Sequence, residues 1–219
     1  MRIIQFGIDA SDPREQASIE QLKNLGHTYT RIENPRYEVE PPLDNIFENN
    51  KELYIGLTKN YEDFGLTPQH YGCWLGHKQV VSLGFCEDEH FLVCEGDCRI
   101  LDIDLFKLRL SEALRVLDNT DYPMIRFEEP FNGLDTQFFN QVSEHLWECD
   151  VINLTHCYLI NKKSKEFFTN LFTTVGWHTP DWWYNVAFKS VSENMLCFKE
   201  RFTTQFDGMS QIDNVIKNY

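Results

Sequence analysis

The chain has 219 residues, 42% of them hydrophobic and 14% aromatic, which suits one domain spanning residues 1–219 and excludes a wholly disordered chain. Its net charge of −14 repels nucleic-acid phosphates and anionic membrane, so neither is an expected partner. No run approaches the roughly 18 apolar residues that mark a spanning helix. The apolar stretch at residues 1–8 is too short for a signal-peptide core, so a cytoplasmic, soluble protein is expected.

Residues 2–8 read as a buried strand. Ser11 or Asp12 caps the helix that follows, with Pro13 at its first position and Gly26 just past its end. Residues 27–33 carry the β-branched and aromatic content of a second strand. This β-α-β opening predicts an α/β fold, a mixed and mainly parallel sheet with helices on both faces. Residues 34–66, rich in Pro, Asn and Asp, predict a long irregular excursion. Thr67-Pro68 starts a helix that runs to about Leu83 and ends at Gly84. Gly72 and Gly76 share one of its faces, which implies either close approach of a ligand or backbone, or tight packing alone.

Residues 90–94 form an apolar strand ending at Glu95-Gly96-Asp97. A helix capped by Asp102 or Asp104 follows, with Leu105, Leu108, Leu114 and Leu117 expected on one side. Strands are predicted at 123–128, 151–154, 157–160 and 195–198. Helices are predicted at 134–148, with Phe138, Phe139, Val142 and Leu146 as its apolar residues, at 162–175, and after Pro180. The seven cysteines show no paired zinc spacing, although Cys86, Cys94 and Cys98 lie close in sequence. They read as reduced thiols packed as small hydrophobes.

Side chains at i and i+2 of a strand share a face, so Glu95 and Asp97 converge if the strand reaches them. Ligands of open α/β sheets bind beyond the carboxyl ends of strands. Two carboxylates there suit Mg²⁺ or Mn²⁺, which take oxygen ligands and substrate phosphates. Gly96 lets the chain turn or a phosphate approach.

Leu66-Thr67, Gly72-Cys73 and His77, followed by an apolar strand ending Glu95-Gly96-Asp97, resemble the glycosyltransferase family 25 pattern of lipopolysaccharide-biosynthesis and procollagen-galactosyltransferase proteins. Gly76 stands where that family has Ser, and Gly96 where it has the middle Asp of Glu-Asp-Asp. Shorter likenesses lie at Arg14, Gln21-Leu22, Leu25-Gly26, Thr155 to Ile160, and Pro180-Asp181-Trp182-Trp183. The resemblance implies a GT-A-like domain and inverting transfer from a nucleotide-sugar donor, a UDP-sugar foremost, to a glycan or other hydroxyl acceptor. It implies donor contacts from Arg14, Gly72, Cys73, His77, Glu95, Gly96 and Asp97. The cation, Mn²⁺ or Mg²⁺, would sit at Glu95 and Asp97, with His178 or His156 as third ligand. Asp181 is the expected general base, with a helix N-cap as its other reading. Trp182, Trp183 and Tyr184 would stack on the acceptor or pack a core. Two rival readings are a catalytically degenerate relative, to which Gly96 points, and a metal-dependent phosphoesterase.

Overall fold

Residues 1–34, 68–128, 138–150 and 155–206 are described by the computed structural model. The expectations for 35–67, for Thr67 as a cap and for a strand at 151–154 lie outside them. The elements in chain order are β1 (Arg2–Gly7), α1 (Pro13–Lys23), β2 (Thr28–Glu33), α2 (Pro68–Gly84), β3 (Phe91–Glu95), β4 (Cys98–Ile100), α3 (Ile103–Asn119) and β5 (Met124–Arg126). They continue with β6 (Phe138–Gln141), β7 (Leu146–Cys149), β8 (Cys157–Ile160), a 3-10 turn (Lys162–Ser164), α4 (Lys165–Thr174), α5 (Pro180–Ser190), β9 (Met195–Phe198) and β10 (Thr203–Gln205).

Local chemistry sets the helix ends as expected. The Asp12 side chain accepts the Arg14 N–H at 2.8 Å, Pro13 follows, and Gly26 adopts φ +77° after the helix. Asp102 caps α3, accepting the N–H groups of Asp104 and Leu105 at 3.0 Å each. Eight strands form one sheet in the order β2-β1-β3-β8-β5-β9-β7-β6, and β4 pairs separately with β10.

The sheet is mixed and carries helices on both faces. Parallel pairing is not its majority: three adjacent pairs are parallel and four antiparallel. The reversal comes from β8, which inserts antiparallel between β3 and β5, and from β6 and β7 at one edge. A central strand is apolar at every position whichever way it runs, so the all-buried Cys157–Ile160 pattern carried no direction.

Alternation along the strands divides the core. Ile4, Phe6, Phe91, Val93, Tyr158, Ile160, Met195 and Cys197 pack with side chains of α2, α4 and α5. Ile3, Leu92, Cys94, Cys157, Leu159, Leu196 and Phe198 face the opposite side, with α1 and α3. One face holds Trp74, Phe168, Phe172, Trp183, Tyr184 and Phe188; Trp183 stacks on Phe172 with centroids 4.4 Å apart and planes 8° apart.

Several sequence expectations change. Residues 138–149 form the β6–β7 hairpin rather than a helix; their aromatic and β-branched content suited a strand better than the apolar spacing suited a helix. On α3, Leu105 and Leu108 are exposed, and the buried stripe is Phe106, Leu110, Ala113 and Leu117. The expected stripe held at Leu117 and in part at Leu114, and failed in the first half of the helix, where Phe106 and Leu110 turn inward instead. Strands β4 and β10, three residues each, were not anticipated.

Trp183 is fully buried, so Trp183→Ala should cost about 3–5 kcal/mol in urea unfolding. The same change at half-buried Trp182 should cost markedly less. Equal losses would contradict this packing.

Candidate functional site

Strands β1 and β3 run side by side in parallel, with Phe6 level with Glu95, so their carboxyl ends open at one edge of the sheet. Glu95 is the last residue of β3 and follows Val93 in the two-residue alternation. It therefore leaves the strand on the face covered by α2 and α5. Cys73 and His77 sit one turn apart on α2, and a sulfur, nitrogen and oxygen from Cys73, His77 and Glu95 all lie within 4.8 Å of one another.

The Glu95 carboxylate is tied into a chain of buried polar groups. His77 Nε2 is 3.0 Å from Glu95 Oε1, and His77 Nδ1 is 2.6 Å from the Tyr158 hydroxyl. The Tyr184 hydroxyl donates to that of Tyr158 at 3.1 Å. A neutral His77 with its proton on Nε2 satisfies every link: Tyr184 donates to Tyr158, Tyr158 to Nδ1, and Nε2–H to the carboxylate. Burial and the charge of Arg126 push His77 down to about 3, which keeps it neutral. Thr155 donates to the same Glu95 oxygen at 3.3 Å, and Gln205 on β10 also hydrogen-bonds Glu95. These contacts point one carboxylate with its second oxygen, Oε2, outside the His77 and Thr155 bonds.

Three carboxylates influence one another's charge here. Burial first, then the charge of Asp181, pushes Glu95 up to about 7. Burial and then Glu95 hold Asp97 well above the ordinary carboxylate range, while Arg14 pulls the other way. Glu95, Asp181 and Asp97 together, behind burial, raise the Cys73 thiol. Each of these charges opposes the ionisation of its neighbour, and Asp97 is only 3% exposed. Among the close donors Glu95 supplies the oxygen that a hard divalent ion such as Mg²⁺ or Mn²⁺ prefers, beside the sulfur of Cys73 and the nitrogen of His77. Asp181 lies in the first turn of α5 behind Thr179, which holds the N-cap position, so capping does not account for Asp181.

A second buried carboxylate builds the loop after β1. Glu15 of α1 is fully buried; its Oε1 accepts the N–H groups of Ile8 and Asp9 at 2.7 and 2.9 Å, and its Oε2 accepts from Arg31 at 2.6 Å. A Cβ on Gly96 would stand 2.7 Å from the Glu15 side chain, and one on Gly7 would stand 2.2 Å from it. Of the two expected roles of Gly96, the turn is seen, and its missing side chain makes room for Glu15. Gly76 likewise makes room for the Asn34 amide, 2.9 Å from where its Cβ would be.

Behind Glu95 lies the buried pair Arg126–Glu128, with Nε 3.1 Å from Oε2. Glu128 also accepts the Cys157 N–H at 2.7 Å, and burial pushes it up to about 7.

Of the residues expected from sequence, Cys73, His77 and Glu95 come together, with Asp181 in electrostatic reach of Glu95, and Glu95 and Arg14 in electrostatic reach of Asp97. Arg14 also forks onto Asp12, with NH2 2.7 Å from Oδ2. Gly72 lies on α2, one residue before Cys73. His178 instead faces Thr179 Oγ1 at 2.9 Å and senses the charge of His70. It belongs to neither group of three close metal donors among the described residues. His156 bonds Thr203 at 3.0 Å and is likewise outside both. Trp183 and Tyr184 are fully buried core residues and present no face to an acceptor, whereas Trp182 keeps some exposure. Sequence reading missed Glu15, Arg126, Glu128 and Gln205. Glu15 in a first helical turn resembles an ordinary dipole-complementing residue, and nothing local marks Gln205.

No family model matches the chain, and no curated protein matches it. Among solved structures it is similar to a glycosyltransferase involved in the glycosylation of the major capsid of PBCV-1, at 11% identity and TM-score 0.43, with 100% of this chain and 99% of that one covered. It is also similar to an inositol-1-phosphate CTP transferase from T. maritima, at 12% identity and TM-score 0.45, with 99% and 94% covered. At these scores the likenesses assign no activity to this chain.

Glu95 holds its proton to about pH 7 when folded, against about 4.3 in an unfolded chain. The folded state binds the extra proton between those values, so this residue's contribution to stability falls as pH rises through that window. Glu95→Gln removes it. The variant should lose less stability than the wild type between about pH 5 and about pH 8, by up to roughly 3 kcal/mol. Parallel losses in urea unfolding would show that Glu95 ionises without cost.

Proposed function

We propose that this chain is an inverting glycosyltransferase that uses a nucleotide-sugar donor, a UDP-sugar foremost, and a glycan or other hydroxyl acceptor. The observation that carries the reading is Glu95 at the end of β3, held by His77 and Thr155 and electrostatically linked to Asp97 in the turn beyond it and to Asp181 in the first turn of α5. The family 25 likeness of the Gly72–His77 and Glu95–Asp97 segments supports it from the sequence side.

In this reading Asp97 and Glu95 hold Mn²⁺ or Mg²⁺ against the donor diphosphate. The cation, when bound, neutralises charge on the departing nucleoside diphosphate. His77 and Thr155 fix the Glu95 carboxylate, so it meets the cation without reorganising. Arg14 adds positive charge at the phosphate side, next to Asp97. Asp181 accepts the proton of the acceptor hydroxyl as that oxygen attacks the anomeric carbon, and the bond to the diphosphate breaks on the opposite face. Trp182, the aromatic with some exposure, flanks the acceptor.

A second reading, a relative that binds donor without turnover, draws on Gly96. The space above that residue is filled by Glu15, so no third carboxylate fits there.

Thermal shift with UDP-, GDP- and CMP-linked sugars, with and without Mn²⁺, separates the readings. One donor class should stabilise the protein in Mn²⁺, and Asp97→Ala should abolish that cation-dependent part. Asp181→Asn should keep donor binding while turnover falls about 10²–10⁴-fold. Stabilisation by no nucleotide sugar would sink both readings, and binding without turnover in the wild type would select the second.

Cation binding needs the ionised carboxylates. The apparent Mn²⁺ affinity, followed by isothermal titration, should therefore tighten as pH rises through about 7 and weaken below it. A flat profile would place the ion elsewhere.

A further inference from the structure

A second cluster of ligating side chains lies directly beneath the acidic turn, on the other face of the sheet. Cys94 on β3, Cys98 on β4 and Cys157 on β8 bring their sulfurs within 4.8 Å of one another, and all three are free thiols. Their residues are 0%, 1% and 0% exposed. Cys94 and Cys157 are direct partners across β3 and β8, with sulfurs 3.7 Å apart. The Glu95 N–H donates to the His156 carbonyl, whereas the Cys157 N–H turns away to Glu128. Cys94 and Cys157 are therefore a non-hydrogen-bonded pair, the position where cross-strand side chains come closest. Cys98 arrives from the small β4–β10 sheet on the far side of the turn.

The spacing has a chemical reading. Three thiolates about 2.3 Å from one ion stand about 3.8 Å apart at tetrahedral angles and about 4.0 Å apart when coplanar with it. The observed 3.7 Å edge is about 0.1 Å short of the tetrahedral spacing, and it is far longer than the roughly 2.05 Å of a disulfide. The surroundings are apolar: Ile3, Leu92, Ile100, Phe106 and Phe127 belong to the same cluster. An all-sulfur set in such a place selects a soft cation over Mg²⁺ or Mn²⁺.

We infer that Cys94, Cys98 and Cys157 form a three-thiolate site for a thiophilic d10 cation of the zinc and copper(I) class. Each thiol gives up its proton to solvent as it binds, and no electron is transferred. Cys94 and Cys98 bracket Glu95-Gly96-Asp97, so the ion closes that turn at its base and straps it to β8. The site is structural and stands apart from the carboxylates above it, whatever they bind. Cys157 lies 59 residues beyond Cys98 in the sequence, which is why cysteine spacing alone gave no zinc pattern.

The test loads the full-length protein, kept reduced, with Cd²⁺ alone. An ultraviolet sulfur-to-metal charge-transfer band with the intensity of three thiolates is expected. It should persist in Cys73→Ser and Cys86→Ser and be lost in Cys94→Ser and Cys157→Ser. Because the last two substitutions fall in the core, cadmium NMR of the wild type supplies a second readout: one resonance in the sulfur-ligated range. No charge-transfer band, a band that survives both buried substitutions, or a Cys94–Cys157 disulfide that forms in preference to metal binding would each overturn the site.

Discussion

The arrangement depends on one carboxylate kept under pressure. Glu95 ends a core strand with its side chain only 16% exposed, and Asp97 and Asp181 carry the same charge. Ionising it against burial and like charge costs free energy. The fold offsets part of that cost with hydrogen bonds from His77, Thr155 and Gln205, and His77 is in turn held by Tyr158 and Tyr184. The rest of the cost falls as a raised pKa. A divalent cation bound at Glu95, as proposed above, would relieve it.

The scaffold around this carboxylate is rigid where it needs to be. Glu15 does for the β1 loop what His77 does for Glu95: it is fully buried and uses both oxygens, on Ile8, Asp9 and Arg31. Gly7 and Gly96 are the two positions where a side chain would collide with it. The departure from a Glu-Asp-Asp motif therefore has a steric partner elsewhere in the chain. On α2, Gly76 serves Asn34 in the same way. Glycines that looked in sequence like openings for a ligand are filled by the protein's own polar side chains.

Much of this was legible in the sequence where the signal was local. Asp12-Pro13, Gly26, Pro68 and Gly84 marked helix ends correctly because capping is decided by neighbouring residues. The Phe91–Glu95 strand and its terminal acid were legible because an apolar run followed by carboxylates can hardly be packed otherwise. What failed was non-local. The direction of β8 is invisible in a strand buried on both faces, and β4 and β10 are too short to show a period. Trp183 and Trp182 are adjacent and alike in sequence, yet helical geometry sends one into the core against Phe172 and leaves the other partly outside. Glu15, Arg126 and Gln205 reach the site from distant elements, and only the fold brings them there.

The central claim is that Glu95 and Asp97 hold a divalent cation against a nucleoside diphosphate. The most direct measurement is a crystal structure of the protein grown with Mn²⁺ and UDP, with anomalous scattering used to locate the metal. The account predicts an anomalous peak in contact with the Asp97 and Glu95 carboxylates and with the diphosphate oxygens, Arg14 nearby. Nucleotide bound elsewhere, or bound here with no manganese touching either carboxylate, would contradict it.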